Sequence, residues 1–302
     1  MAPNINRISD DLFLITLIPA LSGFDNFIGA WLYTGEPSFL VDVGPSSTAN
    51  QLIPALGELG IGHLDYILLT HIHLDHAGAI GELAGKFPES TIVCHKAGIP
   101  HLVDPAKLWE ATKKVLGDMA LAYGPIRPVS PQRFIAAAEF KSSRISSILT
   151  PGHAVHHVCY IIDELMFIGE AGGNFIALPD GREYMRPATP PKFFAETYLA
   201  SIEKMIASNP SRICFGHYGS RDKAGGLLEK HREQVFFWEN TIRSVMERSE
   251  KHDPVSVSIQ KLISEDPLMS GFHHLPPQVQ ERERYFMRNS VKGFVGYIND
   301  GK

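Results

Sequence analysis

The feature that most constrains this chain is a cluster of four potential metal ligands within six residues, directly after an apolar run at 66–69. The run has the composition of a buried strand, and the segment after it contains His71, His73, Asp75 and His76. In an extended segment His71 and His73 point to the same side. We expect a turn to bring Asp75 and His76 to a neighbouring position, before a helix that begins near His76. Imidazole and carboxylate groups together suit zinc, iron or manganese.

A polar turn whose histidines cluster by chance is the alternative interpretation. This interpretation is usually correct for a single histidine, because an isolated imidazole more often makes a local hydrogen bond than binds a metal ion. Four ligand residues in six positions after a hydrophobic strand do not fit it, so we expect a metal centre here. Other histidines have no ligand spacing with the cluster and are expected not to bind metal: His63, His95, His101, His231, His252, His273 and His274.

Composition and charge restrict the partners of the chain. Of the 302 residues, 44% are hydrophobic, so the chain can bury a full core. The formal charge of -5 provides no basic field for a polyanion, and a small-molecule substrate is expected rather than nucleic acid. Residues 1–11 lack the pattern of an export signal, and no apolar run approaches the roughly 20 residues of a membrane span. We therefore expect a cytoplasmic protein without a membrane segment.

The order of the apolar patterns indicates an α/β protein, in which short β-branched and aromatic runs alternate with helical patterns. Asp163 and Glu164 separate two such runs as a tight hairpin turn would. Some strands should therefore pair antiparallel, and a purely parallel sheet is disfavoured. The expected helices are 47–59, 76–86, 105–120 and 191–208, and the expected strands are 12–18, 27–33, 38–43, 66–69, 91–94, 145–149, 158–162, 165–168 and 212–215.

The last part of the chain has a different pattern. A long amphipathic helical pattern covers 227–250, and two more follow at 254–265 and 278–298. We therefore expect a domain of residues 1–220 and a C-terminal helical extension of residues 221–302. The helices should pack on the first domain or on a partner subunit, which leaves a homodimer open, because large apolar faces do not remain in water. These faces include Phe236, Phe237, Trp238, Phe286, Phe294 and Tyr297.

Three cysteines lie within apolar, strand-like runs: Cys94, Cys159 and Cys214. None of them belongs to a CxxC pair or to a polar turn. We expect reduced, buried thiols that pack as small apolar side chains, and a metal or redox role is the alternative.

The cluster and four further motifs resemble the metallo-β-lactamase superfamily. The segment from His71 to His76 matches the HxHxDH hallmark of this family, and the other motifs follow its order. The resemblance covers about residues 10–220. It implies an αββα sandwich, in which two mixed β-sheets lie between helical layers, with a C-terminal helical appendage outside the match. The further motifs are the strand that ends in Asp42 and Gly44, the TPGH motif at His153, the FIGE segment at Glu170 and the FGH segment at His217.

The resemblance also implies a centre of two divalent metal ions, with zinc expected and iron or manganese as alternatives. A hydroxide that bridges the two ions would attack the ester, thioester or related acyl bond of a small molecule. Asp75 and Glu170 are the expected catalytic residues. Glu170 stands where the family normally has a bridging aspartate; we expect it to bridge, and the alternative is that it binds one ion only. The implied ligands are His71, His73 and His153 for one ion, Asp75, His76 and His217 for the other, and Glu170 between them.

The resemblance leaves several reactions open. Glyoxalase II-type hydroxyacylglutathione hydrolases share the TPGH motif, so a thioester or other acyl ester is the leading substrate class. A lactonase is the second, although the segment from Ala171 to Asn174 lacks the tyrosine that lactonases of this fold typically carry there. An iron-dependent oxygen or persulfide oxidoreductase on the same ligands and a non-catalytic metal-binding protein are further alternatives. β-Lactam hydrolysis is not expected, because no export-signal pattern is present.

Several residues near the motifs have two interpretations. Asp42 either orients a ligand histidine, which is favoured, or is only the polar end of a strand. His156 and His157 either line the pocket or have buried, hydrogen-bonded roles, and the second interpretation is favoured. Two segments either contact the substrate or are solvated loops: 98–124 with Lys107, Trp109, Lys113 and Lys114, and 177–191 with Arg182, Tyr184 and Arg186.

Overall fold

The computed structural model describes residues 4–217, 219–248 and 253–300, so that His252 lies outside the described residues. The strands are β1 (Asn4–Arg7), β2 (Leu12–Leu17), β3 (Ile28–Tyr33), β4 (Phe39–Val41), β5 (Tyr66–Leu68), β6 (Thr91–Cys94), β7 (Phe134–Ala136), β8 (Ile145–Leu149), β9 (Val158–Ile162), β10 (Leu165–Gly169), β11 (Asn174–Ala177), β12 (Glu183–Arg186), β13 (Arg212–Phe215) and β14 (Ser220–Asp222). The α-helices are α1 (Ala49–Glu58), α2 (Leu74–Ala77), α3 (Ile80–Lys86), α4 (Ile99–Val103), α5 (Ala106–Leu116), α6 (Asp118–Tyr123), α7 (Ala195–Ala207), α8 (Ala224–Arg248), α9 (Pro254–Glu265) and α10 (Pro277–Asp300).

Two mixed β-sheets form the centre of the molecule. Within the described part of the chain, β1 to β7 form the first sheet in chain order, antiparallel from β1 to β4 and parallel from β4 to β7. The second sheet has the order β14-β13-β10-β9-β8, and β11 pairs with β12 separately. In the second sheet β10 and β13 are parallel, and the other pairs are antiparallel. The hairpin predicted at Asp163 and Glu164 is confirmed between β9 and β10.

Side chains of the first sheet alternate between two hydrophobic clusters. In β4, Leu40 faces the helices α1 and α3, whereas Phe39 and Val41 face the second sheet. On its other side the second sheet packs against α7 to α10 through a third cluster, to which Met166 and Trp238 belong. The layers are therefore helix, sheet, sheet and helix, which is the expected αββα sandwich.

The predicted strands are confirmed to within two residues at each end. The sequence does not predict strands β1, β7, β11, β12 and β14, because each is only three or four residues long. The helix predicted at 47–59 is confirmed as a short 3-10 turn followed by α1. The helix predicted at 105–120 is two helices, α5 and α6, separated at Gly117, whose φ is 55°.

The C-terminal helices share one core with the second sheet. Trp238 of α8 and Phe294 of α10 are buried in the same cluster as Met166 of β10. Phe236 was predicted to belong to an apolar packing face, but it is largely exposed. Because the cluster contains residues from both sides of residue 220, the division into 1–220 and 221–302 stays a prediction.

The three cysteines are free thiols in the core. Burial raises the pKa of Cys94 and of Cys159 to about 12, so that both are protonated at neutral pH. Among the described residues, no helix combines the length and the apolar composition that a membrane span needs.

Candidate metal centre

The first ligand segment follows β5, where the chain leaves the first sheet. The helix α2 begins at Leu74, two residues before the predicted start near His76. Asp75 and His76 therefore lie in the first turn of α2 rather than in the turn before it. The Val43 N–H donates to the His76 carbonyl at 2.7 Å and ties this turn to the end of β4.

The seven predicted ligand residues form two neighbouring groups. Within each group the potential ligand atoms lie within 4.8 Å of one another. All of them follow the carboxyl ends of strands: β5, β8, β10 and β13. The first ligand group is His71, His73, His153 and Glu170, and the second ligand group is Asp75, His76 and His217.

Glu170 lies between the two groups. Its Oε2 is 2.9 Å from His153 Nε2 and 3.5 Å from His71 Nε2. The same oxygen is 3.5 Å from His76 Nε2, and Oε1 is 3.3 Å from His217 Nε2. The carboxylate thus faces both groups, as a bridging ligand must. That Glu170 bridges two ions stays a prediction.

Asp42 determines where two ligand histidines carry their proton. Its carboxylate accepts from the N–H and the O–H of Thr70 and from His76 Nδ1, each at 2.8 Å. Because the Thr70 hydroxyl gives its proton to Asp42, its oxygen accepts from His71 Nδ1 at 3.0 Å. Both imidazoles therefore keep a proton on Nδ1, which leaves Nε2 as the nitrogen that can bind an ion. This geometry agrees with the favoured interpretation of Asp42.

His157 positions the backbone of Glu170. The Glu170 N–H donates to His157 Nε2 at 3.1 Å, so His157 Nδ1 carries the proton and donates to Thr150 Oγ1 at 2.9 Å. Gly169 has a φ of 49°, and a Cβ there would lie 2.4 Å from His157 Nε2, so glycine is required. His157 thus has the buried, hydrogen-bonded role that was favoured. His156 instead lines the cleft, and burial lowers its pKa to about 4.

The remaining imidazoles are held in different ways. His153 Nδ1 donates to the Ala188 carbonyl at 2.7 Å. His217 stacks on Phe27 with ring centroids 3.9 Å apart and an interplanar angle of 6°. The Arg282 guanidinium of α10 lies 3.9 Å from the centroid of the Phe27 ring. Among the described residues, His217 Nδ1 is buried without a hydrogen-bond partner.

Buried nitrogens without partners indicate that these residues suit metal ions. In the described part of the chain, Nε2 of His71 and Nε2 of His76 are buried and make no hydrogen bond. Burial lowers the pKa of His71 well below its usual value, so its imidazole is neutral, as a ligand must be. Burial raises the pKa of Glu170, but His153 and His217 outweigh it and hold that pKa well below its usual value. Imidazoles and a carboxylate around a common space fit divalent ions.

The two groups open into a cleft of about 410 Å³. The predicted substrate segment 98–124 reaches this cleft through apolar residues of α5. The residues singled out there, Lys107, Trp109, Lys113 and Lys114, do not line it. Lys113 instead pairs with Glu110 at 2.7 Å on the outer side of α5.

The arginines of the segment 177–191 are paired within the protein. Arg182 pairs with Asp180 at the surface. Arg186 lines the cleft, but it is buried and its Nε donates to Glu283 Oε2 at 2.5 Å. Tyr184 donates to the same oxygen at 3.0 Å. The segment therefore begins with a solvent-exposed turn around Arg182 and lines the cleft from Arg186 onward, and both arginines are ion-paired.

Asn174 is a site residue that the sequence analysis missed. In the orientation that satisfies both neighbours, its amide nitrogen donates to Glu170 Oε1 at 3.2 Å and its oxygen accepts from Arg186 Nη2 at 2.9 Å. A chain of polar contacts thus runs from Glu283 on α10 through Arg186 and Asn174 to Glu170. The signal in the sequence was a polar residue four positions after a predicted ligand, at the end of Ala171-Gly172-Gly173.

The fold and the centre define a class: an αββα sandwich with a histidine and carboxylate centre at the strand ends. The family profile of the Metallo-beta-lactamase superfamily matches residues 26–217. The metallo-β-lactamase fold-containing protein ST1585 of Sulfurisphaera tokodaii is 30% identical over 182 residues, which are 57% of this chain and 66% of that protein. The hydroxyacylglutathione hydrolase of Acidiphilium cryptum is 31% identical over 207 residues, 68% of each chain. The crystal structure of ST1585 superposes with a TM-score of 0.68 at 24% identity and covers 95% of this chain and 99% of that one.

This chain therefore belongs to the metallo-β-lactamase superfamily, whose members generally bind divalent metal ions. It is an enzyme of this fold, in a family with curated relatives named as hydrolases. The sequence match spans just under two thirds of ST1585, at 66% of its length.

Proposed function

We propose that this chain is a metal-dependent hydrolase that cleaves a thioester or a related acyl ester of a small molecule at a centre of two divalent ions. The position of Glu170 carries the proposal, because its carboxylate lies between two ligand groups that open into one cleft. Bound ions would polarise the substrate carbonyl and lower the pKa of a water towards neutrality. The name of the Acidiphilium cryptum relative supports a thioester as the substrate class.

The residues of the chain hold the centre in place for this reaction. Asp42 fixes the ligand nitrogen of His76, and Asn174 holds one oxygen of Glu170. Asp75 and Glu170 supply the negative charge beside the imidazoles, and the apolar walls of the cleft reduce the access of bulk water. These residues therefore orient ligands rather than attack the substrate.

The described residues of the cleft offer no activated serine or cysteine. Ser290 lines the cleft, but its hydroxyl faces the carbonyl oxygens of Pro187 and Thr189, each at 3.3 Å. Cys159 is buried in the core, and burial raises its pKa to about 12. Water is therefore the nucleophile that the proposed reaction uses.

We further propose that the bound ions are zinc, since three imidazoles with carboxylates suit it. The substrate is a small molecule, and the protein acts in the cytoplasm. Residues 1–220 contain the ligand residues, and residues 221–302 support them through Glu283 of α10, which pairs with Arg186.

A panel of small acyl substrates tests the proposal. The panel contains lactoylglutathione, simple acyl thioesters, aryl esters and lactones, and kcat/KM is measured for zinc-loaded and chelator-treated protein. We expect thioesters to be cleaved fastest and chelation to lower the rate by more than about a hundredfold. Hydrolysis that survives chelation, or oxygen consumption with a thiol persulfide in iron-loaded protein that hydrolyses nothing, would contradict it.

A further inference from the structure

One wall of the cleft is an apolar face of α5 that the protein core covers only in part. Leu108, Ala111, Val115 and Leu116 of α5 line the cleft, and Leu108 and Leu116 also pack against the core beside the first sheet. Ala111 and Val115 are four residues apart and therefore lie on one face of the helix. No residue of α5 is fully buried, and Val115 is 64% exposed. An amphipathic helix normally turns such a face to a core. Here Ala111 and Val115 face the cleft instead.

Apolar residues outside α5 also line the cleft. Pro190 and Phe286 line it, and Phe286 comes from α10. The ligand residues form a polar part of the cleft, and Thr112 of α5 and Asn289 of α10 add uncharged polar side chains to its walls. The cleft therefore has a reactive, polar part and a mostly apolar body, which is the usual arrangement of a site that positions one polar group of an apolar ligand.

Charge excludes a strongly acidic ligand in the body of the cleft. Among the described lining residues, Arg186 is the one lysine or arginine, and it is ion-paired with Glu283. A carboxylate or phosphate of a substrate would have to compete with this buried pair. The glutathionyl part of a hydroxyacylglutathione, with its two carboxylates, finds no free cation on these walls.

We infer that the acyl group of the substrate is an aliphatic chain, which lies against Val115 of α5 and Phe286 with its carbonyl at the ligand groups. This inference rests on the proposed hydrolase function, because its first test measures kcat/KM for the hydrolysis of acyl thioesters. Each methylene that enters the cleft leaves water, and it raises kcat/KM by about three- to fourfold until the cleft is full.

The experiment compares zinc-loaded wild type with the variants Val115→Asp and Leu121→Asp. Both replace an apolar helix residue that is mostly exposed, at 64% and 60%, but Leu121 does not line the cleft. Acyl thioesters from acetyl to octanoyl are assayed. We expect Val115→Asp to lower the octanoyl-to-acetyl ratio of kcat/KM by about tenfold or more, and Leu121→Asp to leave this ratio unchanged. Ala111→Phe should lower the ratio as well, because it fills the cleft.

Binding of straight-chain alkanoates, measured by calorimetry, separates this inference from the proposed function. In wild type we expect Kd to fall by about three- to fourfold per methylene, and this trend should weaken in Val115→Asp. If no acyl compound is hydrolysed but the trend holds, the proposed function fails, and the part of the inference that places an aliphatic chain in the cleft stands. Affinities that do not change with chain length, the same trend in Val115→Asp, or a preference for lactoylglutathione over octanoyl thioester would overturn the inference.

Discussion

The two ligand groups face each other across Glu170, but their imidazoles are held differently. In the first ligand group His153 donates to a backbone carbonyl, and burial keeps the imidazole of His71 neutral. In the second ligand group burial lowers the pKa of His76, but the carboxylates of Asp75 and Asp42 outweigh burial and raise it well above its usual value.

The other imidazole of the second group, His217, is held by stacking on Phe27. An ion in the second group must displace a proton from His76 and bind a His217 ring that lacks a described partner for Nδ1. In the first group burial lowers the pKa of His153, but Glu170 outweighs burial and raises it, so an ion there displaces a proton as well. Contacts to Nδ1 nevertheless orient both His71 and His153, whereas His217 has no such contact among the described residues. We therefore expect the first group to bind its ion more tightly than the second.

Removal of ligand side chains should give the largest loss of metal and of hydrolysis rate, and it tests the two ligand groups separately. The double variant with His71→Ala and His153→Ala should empty the first group and weaken the second. His217→Ala should leave an ion in the first group. Each should lower the hydrolysis rate by more than about a hundredfold. Elemental analysis after dialysis counts the ions, with the exposed His63→Ala as the control. Full metal content in the double variant would show that the ligands are assigned wrongly.

Asp42→Asn should weaken both groups, because Asp42 contacts His76 directly and His71 through Thr70. Asparagine tolerates the positive φ of 56° at this position. Loss of such a supporting carboxylate costs about ten- to a hundredfold in metal affinity. Competition with a chromophoric chelator measures this change. Asp65→Asn is the matched control, since Asp65 accepts from Ser38 in the first sheet, away from the ligands. Equal affinities in wild type and Asp42→Asn would refute the role of Asp42.

Glu170→Asp should cost about tenfold in rate or metal affinity, although it restores the residue that the family usually has. The backbone here is fixed by Gly169 and by the His157 contact, so a shorter side chain cannot reach both groups. Glu170→Gln should lower occupancy, because it removes charge between two cations. Cobalt substitution followed by absorption spectroscopy reports on each group. If Glu170→Asp had the rate and the spectrum of the wild type, the length of the side chain at position 170 would not determine metal binding.

Phe27→Leu should give the smallest effect and act on the second group alone. Loss of an aromatic stacking partner weakens the contact by about two- to tenfold, so the second ion should dissociate more readily. The matched control is Phe24→Leu, since Phe24 is also buried and contacts Phe27, with ring centroids 5.2 Å apart. Equal loss from both groups, or the same loss in Phe24→Leu, would speak against a role of the stack.

Most of the ligand residues could be predicted from one short segment of the sequence. His71, His73, Asp75 and His76 lie within one turn of chain, so their convergence follows from strand and helix geometry. The boundary of α2 was wrong by two residues, because a short helix start has no strong apolar pattern.

Contacts between distant parts of the chain could not be predicted. Glu283 meets Arg186, which is 97 positions away, and Phe27 meets His217. Neither pair has a spacing or a composition that marks it in one sequence. For a related reason the sequence did not show that the lysines of 98–124 lie outside the cleft. A charged residue on a helix can face solvent or a cleft, and only tertiary packing decides which.

The number of ions bound per chain tests the central claim most directly. Protein purified without added metal is saturated with zinc, desalted and titrated with a chelator, while elemental analysis follows the zinc that remains. The two ligand groups predict two zinc ions per chain, released in two steps, with the weaker step abolished in His217→Ala. One ion per chain at saturation, or a weaker step that persists in His217→Ala, would contradict the two-group centre.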